Sequence, residues 1–130
     1  ARIAAEEDEV PVGAVIVCGD RVIARAHNQT ERLNDPTAHA EMLAITSATG
    51  SLGAKYLTDC RLSVTVEPCV MCAGAIGWSQ LSAVIYGTPD EKRGFTRYAP
   101  HALHPKTEVR SGIMEDECAV EMKNFFKGKR

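Results

Sequence analysis

The feature that most constrains the fold of this chain is a set of metal-binding side chains divided between two short motifs. The first motif contains His39 and Glu41, and the second contains Cys69 and Cys72. One imidazole and two thiolates supply three ligands and leave a fourth position open, which is typical of catalytic rather than structural zinc. His39 and Cys69 are 30 residues apart, which exceeds the loop of a small zinc finger. The fold itself must therefore bring the ligands together.

The spacing within each motif indicates how its side chains are used. Cys69 and Cys72 are three residues apart, so at the start of a helix both sulfurs face one metal ion. The positive end of that helix favours thiolate over thiol. Glu41 follows His39 by two residues and is poorly placed to bind the same metal. We therefore predict that Glu41 acts as general acid and base beside a metal-activated water.

The remaining cysteines, Cys18, Cys60 and Cys118, bear on the alternative of a structural zinc site. Such a site would need a fourth ligand from Cys18, Cys60 or another histidine, and none of these has a fitting spacing. Five cysteines is an odd number for a disulfide framework. We interpret these three as reduced, small apolar residues of the core in a cytoplasmic protein.

Length and charge favour a single domain over residues 1–130. An apolar content of 45% is enough for one core. The net charge of -2 predicts no general attraction to polyanions, and the basic tail at 123–130 is either a local exception or a solvated helix end. No apolar run reaches a membrane span of about 18 residues, and no signal sequence is evident. The first residue is not Met, so we expect native residues upstream.

The hydrophobic pattern alternates between strands and helices. This alternation predicts an α/β fold, a three-layer α/β/α sandwich around a central mixed five-stranded sheet. Asp35 is predicted to cap the second helix, and Gly50 to end it. The predicted strands cover 14–18, 21–26, 62–66, 83–86 and 107–111, and the predicted helices cover 1–8, 38–49, 68–79 and 115–126, with a long loop at 87–106.

Over nearly its whole length the chain resembles the cytidine deaminase-like superfamily, and most closely the bacterial tRNA-specific adenosine deaminases. The resemblance rests on ordered blocks at 9–15, 27–28, 35–42, 66–75 and 117–119, including PTAHAEM at 36–42 and EPCVMCAGA at 67–75. It implies one Zn²⁺ per subunit and hydrolytic deamination of adenosine to inosine at the wobble position of tRNA. It also implies a homodimer that grips the tRNA anticodon loop.

The resemblance also implies roles for residues outside the metal motifs. The residues expected to bind the flipped base are Asn28, Val12 and the backbone of Ala40, and those expected to hold the neighbouring RNA are Asp90, Lys92, Phe126 and Arg130. Simpler interpretations remain open for some of them. Asn28 and Asp90 are also common turn residues, and only one of Phe125 and Phe126 can face a nucleotide.

Departures from the family pattern leave the substrate open. The segment 94–106 is shorter than and unlike the expected loop, and it has His104-Pro105 where an Asn is usual. In addition, Gln80 replaces a basic residue, and Trp78 is unusual on its helix. The alternative function is deamination of a free purine or pyrimidine base or nucleoside, of the guanine or cytosine type. A zinc-dependent binding module without catalysis is the third possibility.

Overall fold

The computed structural model describes residues 1–128, whose strands form one five-stranded mixed sheet in the order β2-β1-β3-β4-β5. The strands β1 and β2 form a hairpin, and β1 also pairs antiparallel with β3. The pairs β3·β4 and β4·β5 are parallel. The strands are β1 Gly13–Cys18, β2 Arg21–His27, β3 Cys60–Val66, β4 Ala83–Thr88 and β5 Glu108–Arg110. The predicted mixed sheet is confirmed.

Helices cover both faces of this sheet, which confirms the predicted sandwich. The helices are α1 Arg2–Glu6, α2 Ala40–Leu52, α3 Val70–Ser79, α4 Phe95–Tyr98 and α5 Glu115–Lys127. Helices α2 and α3 contact each other on one face, while α5 packs on β3 and β4 from the other face. Helix α3 connects the parallel strands β3 and β4, as a crossover requires.

The main core lies between the sheet and the α2/α3 pair. Along β3 every second residue is buried, because alternate side chains point to opposite faces. Ile16, Leu62 and Val84 are fully buried there, against the small side chains of Ala44 and Ala48 on α2. Small residues on the helix allow it to approach the sheet closely.

The opposite face is packed more thinly. Helix α5 has no buried residue. A cavity of about 330 Å³ lies between this helix and the sheet, and Val15, Ile85 and Met114 are among its lining residues. This layer therefore contributes less apolar burial to the fold than α2 and α3 do.

Two predicted boundaries of α2 are wrong. Asp35 does not cap the helix, because its carboxylate accepts hydrogen bonds from the backbone N–H (2.8 Å) and hydroxyl (2.7 Å) of Thr37 and so closes a separate turn. The helix begins at Ala40 with His39 as N-cap. It also continues through Gly50 and ends before Gly53, which adopts the left-handed conformation (φ 64°) that glycine accommodates without strain.

The predicted loop at 87–106 contains the short helix α4. None of the helices among residues 1–128 is long and apolar enough to cross a membrane.

Candidate metal centre and active site

Two helix starts on the same face of the sheet create the metal centre. His39 is the N-cap of α2 and Cys69 is the N-cap of α3, and both have extended backbone conformations. Cys72 lies one turn into α3 and is fully buried. An N-cap residue does not have helical backbone angles, so its side chain can point towards the start of the neighbouring helix. The packing of α2 against α3 then brings the three side chains together.

The geometry of this group fits zinc. The Nδ1 atom of His39 lies 3.6 Å from the Sγ atom of Cys69 and 3.5 Å from that of Cys72. Bond lengths of about 2.3 Å to sulfur and about 2.0 Å to nitrogen, at a tetrahedral angle, place these atoms about 3.5 Å apart. Within residues 1–128, this is the group of side chains close enough to hold a metal ion. Cys18 and Cys60 are not part of it, so the described residues offer three ligands, as expected for a catalytic site.

The two thiols of the centre have opposite proton affinities. A hydrogen bond from Cys72 is the main cause that lowers the pKa of Cys69 to about 4, with His39 adding to the effect. The same hydrogen bond and burial raise the pKa of Cys72. The hydrogen bond to Cys69 also raises the pKa of His39. Cys69 is therefore a thiolate at neutral pH, and a zinc ion would release the proton held by Cys72 and by any charged His39.

Glu41 lies beside the ligands but outside their group. Its side chain is only 4% exposed, in the first turn of α2. Burial raises the pKa of the carboxyl group to about 7, and the Cys72 thiol is within hydrogen-bonding distance. A proton carrier works best when its pKa is close to the working pH. The location and pKa of Glu41 therefore suit the predicted acid and base role.

Backbone hydrogen bonds place Asn28 next to the start of α2. The N–H of Asn28 donates to the carbonyl of Val12 (3.0 Å), and the N–H of Gln29 donates to the carbonyl of Ala38 (3.0 Å). Asn28 is buried, with 6% of its surface exposed. Its proposed contact with a base stays a prediction.

Val12 and Ala40 also lie close to the centre. Val12 is half-buried and packs against the core. Ala40 is fully buried as the first residue of α2, where a backbone N–H has no acceptor within the helix. This N–H group is therefore free to donate to a bound molecule.

Asp90 and Lys92 lie in the segment that follows β4. The carboxylate of Asp90 accepts hydrogen bonds from the N–H groups of Lys92 and Arg93, both at 3.0 Å. These bonds support the interpretation of Asp90 as a turn residue. Lys92 is exposed. Contact of either residue with a substrate stays a prediction.

Phe126 lies near the end of α5 and is 50% exposed, with its ring edge-on to that of Phe125 at 5.2 Å. Both rings line an open cavity of about 700 Å³ that also includes Val10 and Thr30. The cavity contains none of the metal ligands, although Val10 and Thr30 are close in sequence to Val12 and Asn28. Arg130, the remaining predicted contact, lies outside the described residues.

Glu67, for which the sequence pattern predicts no separate role, anchors the segment after β4. The Oε1 atom of this buried carboxylate accepts the N–H of Asp90 (3.0 Å), and Oε2 accepts the N–H (3.0 Å) and hydroxyl (2.7 Å) of Thr96. A Cβ at Gly94 would overlap this carboxylate. Glu67 immediately precedes Pro68 and Cys69, so it couples a metal ligand to this segment.

Glu9 is a second buried carboxylate that holds a loop, here the one that follows Asn28. It is 1% exposed, and its carboxylate accepts the N–H groups of Glu31 (3.0 Å) and Arg32 (2.7 Å). These bonds hold the segment that follows Asn28. The only sequence signal for either role is an acidic residue one or two positions before a proline, and this signal does not identify the loop that it binds.

Comparison with known proteins decides the family. Residues 1–88 match the model of the cytidine and deoxycytidylate deaminase zinc-binding region. The chain belongs to this deaminase family. It is a zinc-binding, hydrolytic deaminase, and the resemblance recognised in the sequence is confirmed.

Two similar relatives are named tRNA-specific adenosine deaminases. The deaminase is 44% identical to a tRNA-specific adenosine deaminase of Agrobacterium fabrum, over 100% of this chain and 89% of the relative. It is 42% identical to the Bacillus subtilis protein of the same name, over 100% of this chain and 84% of the relative.

Two solved structures are also similar. One comes from a study of A-to-I editing by tRNA:A34 deaminases at the wobble position of transfer RNA, with a TM-score of 0.86, 44% identity and coverage of 92% of this chain and 91% of that chain. Guanine deaminase from Nitrosomonas europaea has a TM-score of 0.84 at 24% identity, over 95% of this chain and 77% of that chain. The second comparison shows a shared fold alone.

Proposed function

We propose that this deaminase converts adenosine to inosine at the wobble position of a tRNA anticodon loop. The observation that carries the proposal is the location of a buried carboxyl group, Glu41, beside a His39, Cys69 and Cys72 triad that fits zinc. The identities of 42 to 44% with tRNA-specific adenosine deaminases over the whole chain support adenosine in tRNA as the substrate. The similarity to the structure studied as a tRNA:A34 deaminase supports the wobble position.

His39, Cys69 and Cys72 would hold the zinc ion. When bound, zinc acts as a Lewis acid that makes a water molecule acidic near neutral pH. Glu41 would pass one proton of the attacking water to the purine ring and the second proton of that water to the departing amino group, which leaves as ammonia. Its raised pKa of about 7 allows it to act in both directions at neutral pH. Ammonia and inosine are the products.

Three groups bind and orient the base in this proposal. The amide of Asn28 hydrogen-bonds the edge of the purine, and the backbone N–H of Ala40 donates to the substrate at the start of α2. Val12 provides an apolar surface beneath the ring. A base must leave the anticodon stack to reach a pocket this close to the core.

The surface around the pocket would bind the RNA backbone and the neighbouring bases. Lys92 offers an exposed charge on a segment anchored to the metal centre through Glu67. The exposed ring of Phe126 can stack on a nucleotide, as single-stranded RNA binding requires. Asp90 and Arg130 complete the proposed contacts. A tRNA substrate together with reduced cysteines favours a cytoplasmic location.

The proposal includes a homodimer, and the outer face of α3 supports it. Val70, Met71 and Trp78 are exposed on this helix, and Trp78 is 84% exposed. A large aromatic side chain in an apolar patch is typical of an interface. In sedimentation experiments we expect a dimer for the wild type and a monomer for Trp78→Glu. Ile113→Glu, also at an exposed apolar residue but away from α3, should remain dimeric.

The test of the function compares RNA with free substrates. Ammonia release and inosine formation are measured on an anticodon stem-loop with adenosine at the wobble position, and on free adenosine, guanine and cytosine at equal concentration. A stem-loop with guanosine at that position controls for background. Inosine formed only in the RNA supports the proposal. Turnover of a free base alone would overturn it and would assign a new substrate to the same zinc centre.

A further inference from the structure

Cys18 and Cys60, which the deaminase reaction does not use, face each other across two strands. Cys18 ends β1 and Cys60 begins β3, and the two residues are direct partners in the antiparallel register. Both side chains contact the core, with Cys60 1% exposed and Cys18 partly exposed. Burial raises the pKa of the Cys60 thiol to about 11, and the neighbouring Cys18 thiol adds to this effect.

The backbone hydrogen bonds of Cys60 show which kind of strand pair this is. Its N–H donates to the carbonyl of Leu57 (3.0 Å), and its carbonyl accepts the N–H (2.9 Å) and hydroxyl (2.8 Å) of Ser82. Both backbone groups therefore point away from β1, and Cys18 and Cys60 form a non-hydrogen-bonded pair. In such pairs the Cα atoms are about 4.5 Å apart, within the range that a disulfide spans.

The pair is well separated from the metal centre. Cys60 begins β3, whereas Cys69 and Cys72 follow the other end of that strand. A strand of seven residues is about 20 Å long. Chemistry at one end therefore does not require displacement of ligands at the other.

We propose that Cys18 and Cys60 are a redox modification site that forms a cross-strand disulfide when a peroxide oxidises the protein. The Cys18 sulfur attacks one peroxide oxygen, the O–O bond breaks and water leaves, which gives a sulfenic acid. The Cys60 sulfur then attacks the Cys18 sulfur, the S–S bond forms, and a second water leaves with the Cys60 proton. Two thiols lose two electrons, and the peroxide is reduced to two waters.

This order follows from exposure. Cys18 adjoins the exposed turn at Gly19 and Asp20, so a small oxidant reaches it first. Cys60 is buried behind it and acts as the resolving thiol. The disulfide joins β1 directly to β3 and closes a long chain segment, which stabilises the sheet against unfolding.

Tryptic peptides identify the linkage without ambiguity. Cys18 lies in the peptide 3–21, Cys60 in 56–61, the two metal-ligand cysteines together in 62–92, and Cys118 in 111–123. The zinc-loaded protein is treated with a few equivalents of hydrogen peroxide, free thiols are alkylated, and the digest is analysed by mass spectrometry. We expect peptides 3–21 and 56–61 to be linked, with a mass loss of about 2 Da that dithiothreitol reverses and with zinc content unchanged.

Stability provides the second measurement. The oxidised protein should melt about 5 °C or more above the reduced protein, and Cys18→Ser and Cys60→Ser should each abolish this shift while Cys118→Ser retains it. Cys18→Ser is the safer variant, because its site is only half-buried. The proposal is overturned if zinc is lost or Cys69 and Cys72 are oxidised before the linked peptide forms, or if that peptide forms only in urea.

Discussion

The two faces of the sheet differ in how densely they are packed, and the catalytic groups lie on the denser face. On the α2/α3 face, fully buried residues such as Ile76 pack against the sheet, and the helix starts carry the catalytic groups. On the opposite face, α5 buries none of its residues and exposes Val120 and Phe126. A zinc site needs ligand positions held to a fraction of an ångström, which dense packing provides. A surface that fits RNA does not need this precision.

Removal of one ligand should have the largest effect. We expect Cys72→Ala to lose both zinc and activity, because two protein ligands cannot retain the ion. Zinc content by atomic emission and deamination of the stem-loop measure the two losses. Cys118→Ala on α5 is the matched control and should keep both. Full zinc occupancy in Cys72→Ala would show that the ligand assignment is wrong.

Removal of the proton carrier should leave the metal in place. We expect Glu41→Gln to lower kcat by about 10² to 10⁴ while zinc content stays at one per subunit. Glu115→Gln in the first turn of α5 is the matched control and should retain full activity. A Glu41→Gln protein with a tenth of the wild-type rate would contradict the proposed role of this carboxyl group.

The packing difference between the faces can be measured directly. Ile76→Ala should lower the free energy of unfolding by about 2–5 kcal/mol, because it leaves a cavity in the core. Val120→Ala on α5, where the side chain is 52% exposed, should change it by about 0.5 kcal/mol or less. Urea unfolding gives both values. Equal losses would mean that α5 is packed as tightly as α3.

The buried Glu41 should also make stability depend on pH. Its pKa is about 7 in the folded protein and 4.5 in the reference state, so the folded protein holds this proton more tightly. The resulting stability is fully present below pH 4.5 and is lost as the pH rises through 7.

In chelator-treated protein, urea unfolding at pH 5 and pH 8 should show that the wild type loses about 2 kcal/mol more than Glu41→Gln between these pH values. The comparison with Glu41→Gln cancels the titration of groups that Glu41 does not influence, whereas His39 and Cys72, whose pKa values Glu41 raises, contribute to the difference. A parallel pH dependence in the two proteins would contradict the raised pKa.

The smallest expected effect concerns α5, on the thinly packed face of the sheet. We expect Phe126→Ala to raise KM for the stem-loop about fivefold, equivalent to about 1 kcal/mol of stacking, with kcat and stability unchanged. Val120→Ala on the same helix is the control. A fall in kcat without a change in KM would assign Phe126 to the structure of the site instead.

The sequence predicted the metal centre better than its surroundings. His39, Cys69 and Cys72 were identifiable because metal ligands need particular side chains at particular spacings. The start of α2 was misplaced because Asp35 bonds to Thr37 instead of capping the helix, and both uses have the same local pattern. Glu67 and Glu9 were missed because their partners are backbone N–H groups of distant loops, which no side-chain pattern reveals.

The anchoring of Asp90 and Thr96 by Glu67 has a consequence for how this enzyme can diversify. Because the hydrogen bonds to Glu67 end at Thr96, they leave the segment at 97–106 outside this clamp. Changes in that segment that keep Ala102 and Leu103 packed against the core should not disturb the metal ligands. Because Glu67 holds the start of the segment in place, the residues beyond Thr96 can vary in sequence, and new substrate preferences can be selected while the catalytic centre stays unchanged.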